Sequence, residues 1–172
     1  MSEYQIIQDE DPMSPRDWDG NICTIITWNS QYGGGDIDCP NQDAFIKAVS
    51  ETAHAENWAA RHGLKRPIMA YIHSGIAVRL DDYGNWPDQR WDCMPFGVIY
   101  VDPVKTRQEY NWKRITKARA QSLKEDLDIE FNAWKSWLEG DTYLVLDESD
   151  DQVFNGTYSE CSSWVSTHEV TK

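Results

Sequence analysis

Few residues in this chain are placed to do chemistry, and none is joined to another by an established motif. His73 and Ser74 are adjacent, but neighbours in a strand point to opposite faces, so this histidine is badly placed to activate this serine. The sequence holds no Gly-x-Ser-x-Gly elbow, no Gly-x-Gly-x-x-Gly turn and no phosphate loop ending in Gly-Lys-Ser/Thr. Gly33, Gly34 and Gly35 would let a backbone approach a ligand, yet no lysine follows them and no helix begins there, so they read as a plain loop. Glu51 and His54 make one Glu-x-x-His, whereas carboxylate-bridged metal pairs use two such motifs on four helices. Asp36, Asp38, Asp81, Asp82, Asp88 and Asp92 are loop carboxylates without the spacing of a calcium loop, and they read as solvated side chains. Cys23, Cys39, Cys93 and Cys161 form no Cys-x-x-Cys pair and read as reduced, buried thiols. No metal, cofactor or catalytic residue is assigned. What remains is a candidate polar site of Asp17, Trp18 and Asp19 with His73 and Ser74. Asp81 or Asp82 would be further acids if a small metal-dependent hydrolase or nuclease-like site lay near His73.

The elements that must position these residues follow from apolar spacing. Residues 4–7, 22–28, 67–73, 76–80, 96–101 and 142–146 read as strands. Asn41 is a plausible N-cap for a helix to His62, with Gly63 just past its end. A second helix starts after Thr116; Ala120, Leu123, Leu127, Phe131, Trp134 and Leu138 recur every three or four residues, and Gly140 ends it. The stretch 31–41 reads as loop and the acids of 147–151 as a turn. Asn155-Gly156 reads as a hairpin turn between two strands. The expected fold is α+β, a mainly antiparallel sheet packed against two main helices, as a single domain over 1–172 with 1–3 and 167–172 frayed. No apolar run approaches a membrane span and no secretory signal opens the chain, so a cytoplasmic protein with no membrane role is expected.

The formal net charge is −13, which repels nucleic acid and leaves no direct nucleic-acid role expected. The charge is uneven: residues 1–20 carry −5, residues 105–124 carry +6 and residues 125–151 carry −9. Glu125, Asp126, Asp128 and Glu130 fall mostly off the apolar face of the second helix. With Glu139, Asp141, Asp147 and Glu148 they make a candidate interaction surface, a negative ribbon of the kind that mimics DNA in a basic cleft.

Pro15-Arg16-Asp17-Trp18-Asp19, the loop from Gln31 to Asp36, Tyr71-Ile72-His73-Ser74-Gly75-Ile76, Phe96 to Val101, Glu109-Tyr110-Asn111-Trp112-Lys113-Arg114, Trp137 to Tyr143, and Cys161-Ser162-Ser163-Trp164 are segments that, taken together, resemble a family of uncharacterised phage and prophage proteins. Ile72 stands where the family has an acid. The resemblance runs in order over about 15–165 and implies a phage or mobile-element origin, with expression in the bacterial host's cytoplasm. The expected role is therefore an accessory protein that binds a host protein. The favoured partner is a basic nucleic-acid-processing or defence complex, blocked in anti-CRISPR or anti-restriction fashion. The alternatives are the enzyme near His73 and a structural or regulatory homodimer burying Trp86 and Trp91.

Overall fold

The computed structural model describes residues 4–169 apart from Ser30, Tyr83, Asn85 and residues 87–89. Contacts group the chain into two compact units, Ser14–Lys135 and a smaller one made of Met1–Met13 with Ser136–Lys172. The fold is α+β, with two mostly antiparallel sheets.

The larger unit holds β2 (Cys23–Thr27), β3 (Ile37–Asp38), α1 (Gln42–Arg61), β4 (Lys65–Ile72), β5 (Ile76–Leu80), β6 (Cys93–Val101) and α2 (Pro103–Glu109); the smaller begins with β1 (Gln5–Gln8). The five-stranded sheet runs β3-β2-β6-β4-β5, antiparallel except for the β2–β3 pair. All five residues of β2 are buried. An unbroken Cys-Thr-Ile-Ile-Thr run is what a strand covered on both faces requires. Register identifies the two covers. Thr24, Tyr100 and Lys65 lie side by side across β2, β6 and β4, so they share a face, and Lys65 pairs with Glu56 of α1. The opposite face carries Ile25, Ile99 and Arg66, and Arg66 pairs with Asp128 of α3 (Lys117–Glu139). The central sheet thus lies between α1 and α3. A bulge in β6 turns Phe96 toward α3, where it meets the fully buried Trp134 at 6.3 Å between ring centroids. Beside it, a Cβ on Gly97 would run into the Ile26 carbonyl oxygen, so the close pairing of β2 with β6 at this point needs glycine.

Both long helices match the expected spacing. Asn41 Oδ1 accepts from the Ala44 N–H at 2.9 Å, and Gly63 takes the left-handed conformation (φ +68°) that ends α1. Thr116 caps α3 by accepting from the Arg119 N–H at 3.3 Å. The buried positions of α3 are Ala120, Leu123, Leu127, Phe131 and Trp134, the expected apolar face. Two shorter helices join them: α2, capped by Asp102 with Pro103 in its first turn, and α4 (Tyr158–Glu169).

In the smaller unit, β1, β7 (Tyr143–Leu146) and β8 (Gln152–Gly156) form an antiparallel sheet in the order β1-β7-β8. The turn between β7 and β8 is closed by the Asp147 N–H donating to Asp151 O. Helix α4 lies on this sheet, its Trp164 stacked on Phe154 and met edge-on by Tyr4.

Three expectations are corrected. Asn155-Gly156 is the end of β8, not a hairpin turn, and the following run is α4. The reason is a capping box: Thr157 Oγ1 accepts from the Glu160 N–H while Glu160 Oε2 accepts from the Thr157 N–H at 2.8 Å. Residues 167–169, expected as part of a frayed end, are the last residues of that helix; residues 1–3 and 170–172 lie outside the described residues. The loop 31–41 contains β3, because Asp38 gathers the Gly34 and Gly35 N–H groups and the Thr27 hydroxyl and so lays the chain parallel to β2.

Candidate functional site

The sequence places Asp17, Trp18 and Asp19 a few residues before β2, whereas His73 and Ser74 sit in the turn after β4. Cys23 is paired with Val101 at one end of β6, and Tyr71 with Cys93 at the other. At about 3.3 Å per residue, the length of β6 separates the two groups by roughly 25 Å. The candidate polar site is therefore divided between opposite ends of the sheet. All five of its residues are exposed.

His73 has a partner the sequence reading did not assign to it: its Nδ1 lies 3.3 Å from Asp92 Oδ2, and the Tyr71 ring stacks beside it. Asp81 and Asp82 are committed elsewhere, Asp81 to Arg66 and Asp82 to Arg79 and the Gly84 N–H. Asp88 lies outside the described residues. On α1, Glu51 faces Lys47 at 3.8 Å and His54 is exposed. Among the described residues no group of three or more His, Cys, Asp or Glu is arranged to hold a metal ion. The four cysteines are free, and burial pushes each thiol pKa up, furthest at Cys23, where Glu130 adds to the effect. A thiol so held is a poor source of thiolate.

The strongest polar construction lies under the Pro15–Asp19 segment. Arg16 has a side chain only 5% exposed; it reaches Glu130 at 2.9 Å, Asp36 at 3.0 Å and the Cys23 carbonyl at 2.9 Å. Glu130 also accepts from the Ile22 and Cys23 N–H groups, and Asp36 from the Ile25 N–H at 2.7 Å. Lys105 completes the set, 3.3 Å from Asp36 and 3.0 Å from the Cys23 carbonyl. Burial works against the Arg16 charge, and the two carboxylates more than offset it, so its pKa rises. Every carboxylate here has a cation or an N–H, so the network fixes the start of β2 to α3 and α2 and leaves no open acid.

The negative ribbon is correspondingly divided. Glu130 is a correction: it points inward to Arg16 and does not belong to a surface. Asp128 pairs with Arg66, and Asp126 accepts from the Tyr110 hydroxyl at 3.1 Å, leaving Glu125 exposed. The remaining four lie in the smaller unit. Asp141 accepts from the Tyr158 N–H, Asp147 holds the β7–β8 turn, Glu139 is half-buried, and Glu148 is exposed.

The smaller unit carries twelve acids against Lys172, a formal −11; the larger has seventeen acids and fifteen cations, −2, and together these give the −13 of the chain. Among the described residues, Asp9, Glu10, Asp11, Glu148, Asp150 and Asp151 have no ion pair. Within this acidic unit an open groove of about 410 Å³ runs along α4, lined by Phe154, Trp164, His168 and Glu160 among others. Trp91, one of the two tryptophans proposed for a homodimer, is 84% exposed; Trp86 is half-buried beside Tyr71 with Arg79 over its ring.

Comparison with protein-family models, with curated proteins and with solved structures gives no match. No helix among the described residues is long and apolar enough to cross a membrane. The Arg16 network had a partial signal in the sequence, an arginine inside an otherwise acidic segment. Its partners Asp36 and Glu130 are 20 and 114 residues away, and no local pattern links them.

Proposed function

We propose that the protein works by binding another protein, its small acidic unit docking on a basic surface of a host nucleic-acid-processing or defence complex. The supporting observation is the concentration of charge: a formal −11 on the 50 residues of one unit, with six exposed or half-exposed acids in no ion pair. Protein folds do not need such a surface, since like charges held together oppose compaction. A surface of this kind raises the on-rate for a positively charged partner and disfavours neutral or acidic ones. The resemblance to phage and prophage proteins supports a role directed at a host, in anti-CRISPR or anti-restriction fashion, in the host cytoplasm.

The test is a pull-down from bacterial lysate at moderate salt, with bound proteins identified by mass spectrometry, run beside the variant Glu148→Lys, Asp150→Lys, Asp151→Lys. One dominant nucleic-acid enzyme or defence subunit is expected, released by added salt and lost with the variant. A partner held equally well by the variant and at high salt would overturn the acidic-docking reading.

A further inference from the structure

The basic block 105–124 divides into two parts in the structure. Lys105 turns inward to Asp36, and Arg107 bonds to the Pro103 carbonyl of its own helix. Lys113, Arg114, Lys117 and Lys124 stay exposed and have no ion pair among the described residues. Elsewhere in the larger unit Arg16, Lys47, Lys65, Arg66, Arg79 and Lys105 each meet a carboxylate, while Arg61 and Arg90 are single exposed cations in no ion pair among the described residues. In a chain with a large excess of acid, four unmatched cations within twelve residues need a reason.

Helix stability does not supply one. The first turn of α3 holds no acid, and cations beside the positive end of a helix oppose its dipole. The surroundings are built rather than loose. Trp112 is held between the Tyr110 ring at 4.6 Å and the Arg119 guanidinium at 4.4 Å, and Arg119 also donates to the Arg114 carbonyl. On α3 itself, Lys117, Gln121 and Lys124 recur at spacings of four and three and so share one face, about 10 Å from first to last. Glu125, four residues after Gln121, and Asp128, which pairs with Arg66, border that face on its C-terminal side.

We infer that Lys113, Arg114, Lys117 and Lys124 form a docking row for the phosphate backbone of a nucleic-acid strand. Residues 111–124 expose no large apolar side chain, with Tyr110 and Ile129 exposed on either side, whereas a protein partner would need an apolar centre within the row itself. Phosphates need only donors and positive charge in a row. The objection from the chain's net charge loses most of its force once −11 of it belongs to the other unit. The row lies in the larger unit and the acids of the proposed docking surface in the smaller one, so the inference does not depend on that reading.

The test is fluorescence anisotropy with labelled single-stranded DNA and RNA of about twenty nucleotides, near 50 mM salt and upward. Saturable binding is expected that weakens steeply with salt. The variant Lys113→Glu, Arg114→Glu, Lys117→Glu loses at least tenfold in affinity. Its log–log salt slope falls by about 2, at roughly 0.7 per phosphate contact on single strands. The neutral variant Lys113→Gln, Arg114→Gln, Lys117→Gln loses less, and Lys47→Glu on α1 leaves binding within twofold. Thermal unfolding of each variant separates lost binding from lost fold. Reversal of Glu148, Asp150 and Asp151 leaves oligonucleotide binding intact or stronger, so this result stands or falls apart from the acidic surface. Four results would overturn the inference: no saturable binding of either probe, equal binding by the triple glutamate variant, equally effective competition by polyglutamate, or salt-sensitive self-association that the same variant abolishes. The last would assign the row to the acidic unit of a second copy.

Discussion

The two units handle negative charge in opposite ways. In the larger, many acids are matched: Asp36 and Glu130 hold Arg16 and Glu56 holds Lys65 in buried pairs, and Asp81 and Asp128 share Arg66 at the surface. In the smaller, acids crowd onto a β7–β8 turn and a β1 exit that contain no cation at all. Charge in the first region is part of the packing, and removing a partner there disturbs the fold. In the second, Asp141, Asp147 and Glu160 bond backbone N–H groups, while Glu148, Asp150 and Asp151 are displayed with no cation beside them among the described residues. The same residue types therefore carry different information, and what separates them is whether a cation lies within reach.

The comparison breaks most visibly at Arg16. Replacing it with alanine leaves Asp36 and Glu130 facing each other's surroundings with one cation lost, and Glu130 is anchored too well by two backbone N–H groups to swing out. Removing one partner of a buried pair costs about 3–5 kcal/mol, so Arg16→Ala lowers the urea midpoint by a large fraction of the total stability. A change under about 1 kcal/mol would mean the network is no more cohesive than a surface pair. Neutralising the other region does the reverse. Glu148→Gln, Asp150→Asn and Asp151→Asn together leave stability within about 0.5 kcal/mol or raise it slightly. Asn suits the left-handed backbone at Asp150 (φ +60°). Added salt stabilises the parent more than this variant, because screening relieves repulsion the variant no longer has. Equilibrium unfolding at two salt concentrations checks both statements.

How legible this was in the sequence follows the same division. The long helices and the buried strands were readable, because apolar period and caps such as Asn41, Gly63 and Thr116 are local signals. Thr157-Tyr158-Ser159-Glu160 was an equally local signal for α4, but Asn155-Gly156 two residues earlier offered a competing turn. The capping box decided the outcome by satisfying the first helical N–H groups. The candidate site was less legible. Asp19 and His73 look alike as isolated polar residues, and only strand register shows that β6 holds them apart. The acidic ribbon read from residues 125–148 mixed two populations. Glu130 and Glu125 are five residues apart on one helix, yet one is anchored beneath β2 and the other faces solvent.

Asp126 is the residue on which the comparison is finest, because its partner is a neutral hydroxyl and not a cation. Tyr110 donates to it at 3.1 Å. Loss of solvation, followed by the Asp126 charge, pushes the Tyr110 phenol pKa from its ordinary 10 up to about 12. The folded pKa lies above the unfolded one, so this contribution to stability is complete below pH 10 and is lost as pH rises through 12. Tyr110→Phe has no such phenol to ionise, so the parent loses stability relative to the variant between pH 10 and 12, while below pH 10 the difference between them is constant. Unfolding midpoints at pH 9, 10.5 and 12, with tyrosinate absorbance followed in parallel, measure this. A constant difference across the whole range would place Asp126 among the displayed acids, and the contrast between the two units would then begin on α3 itself.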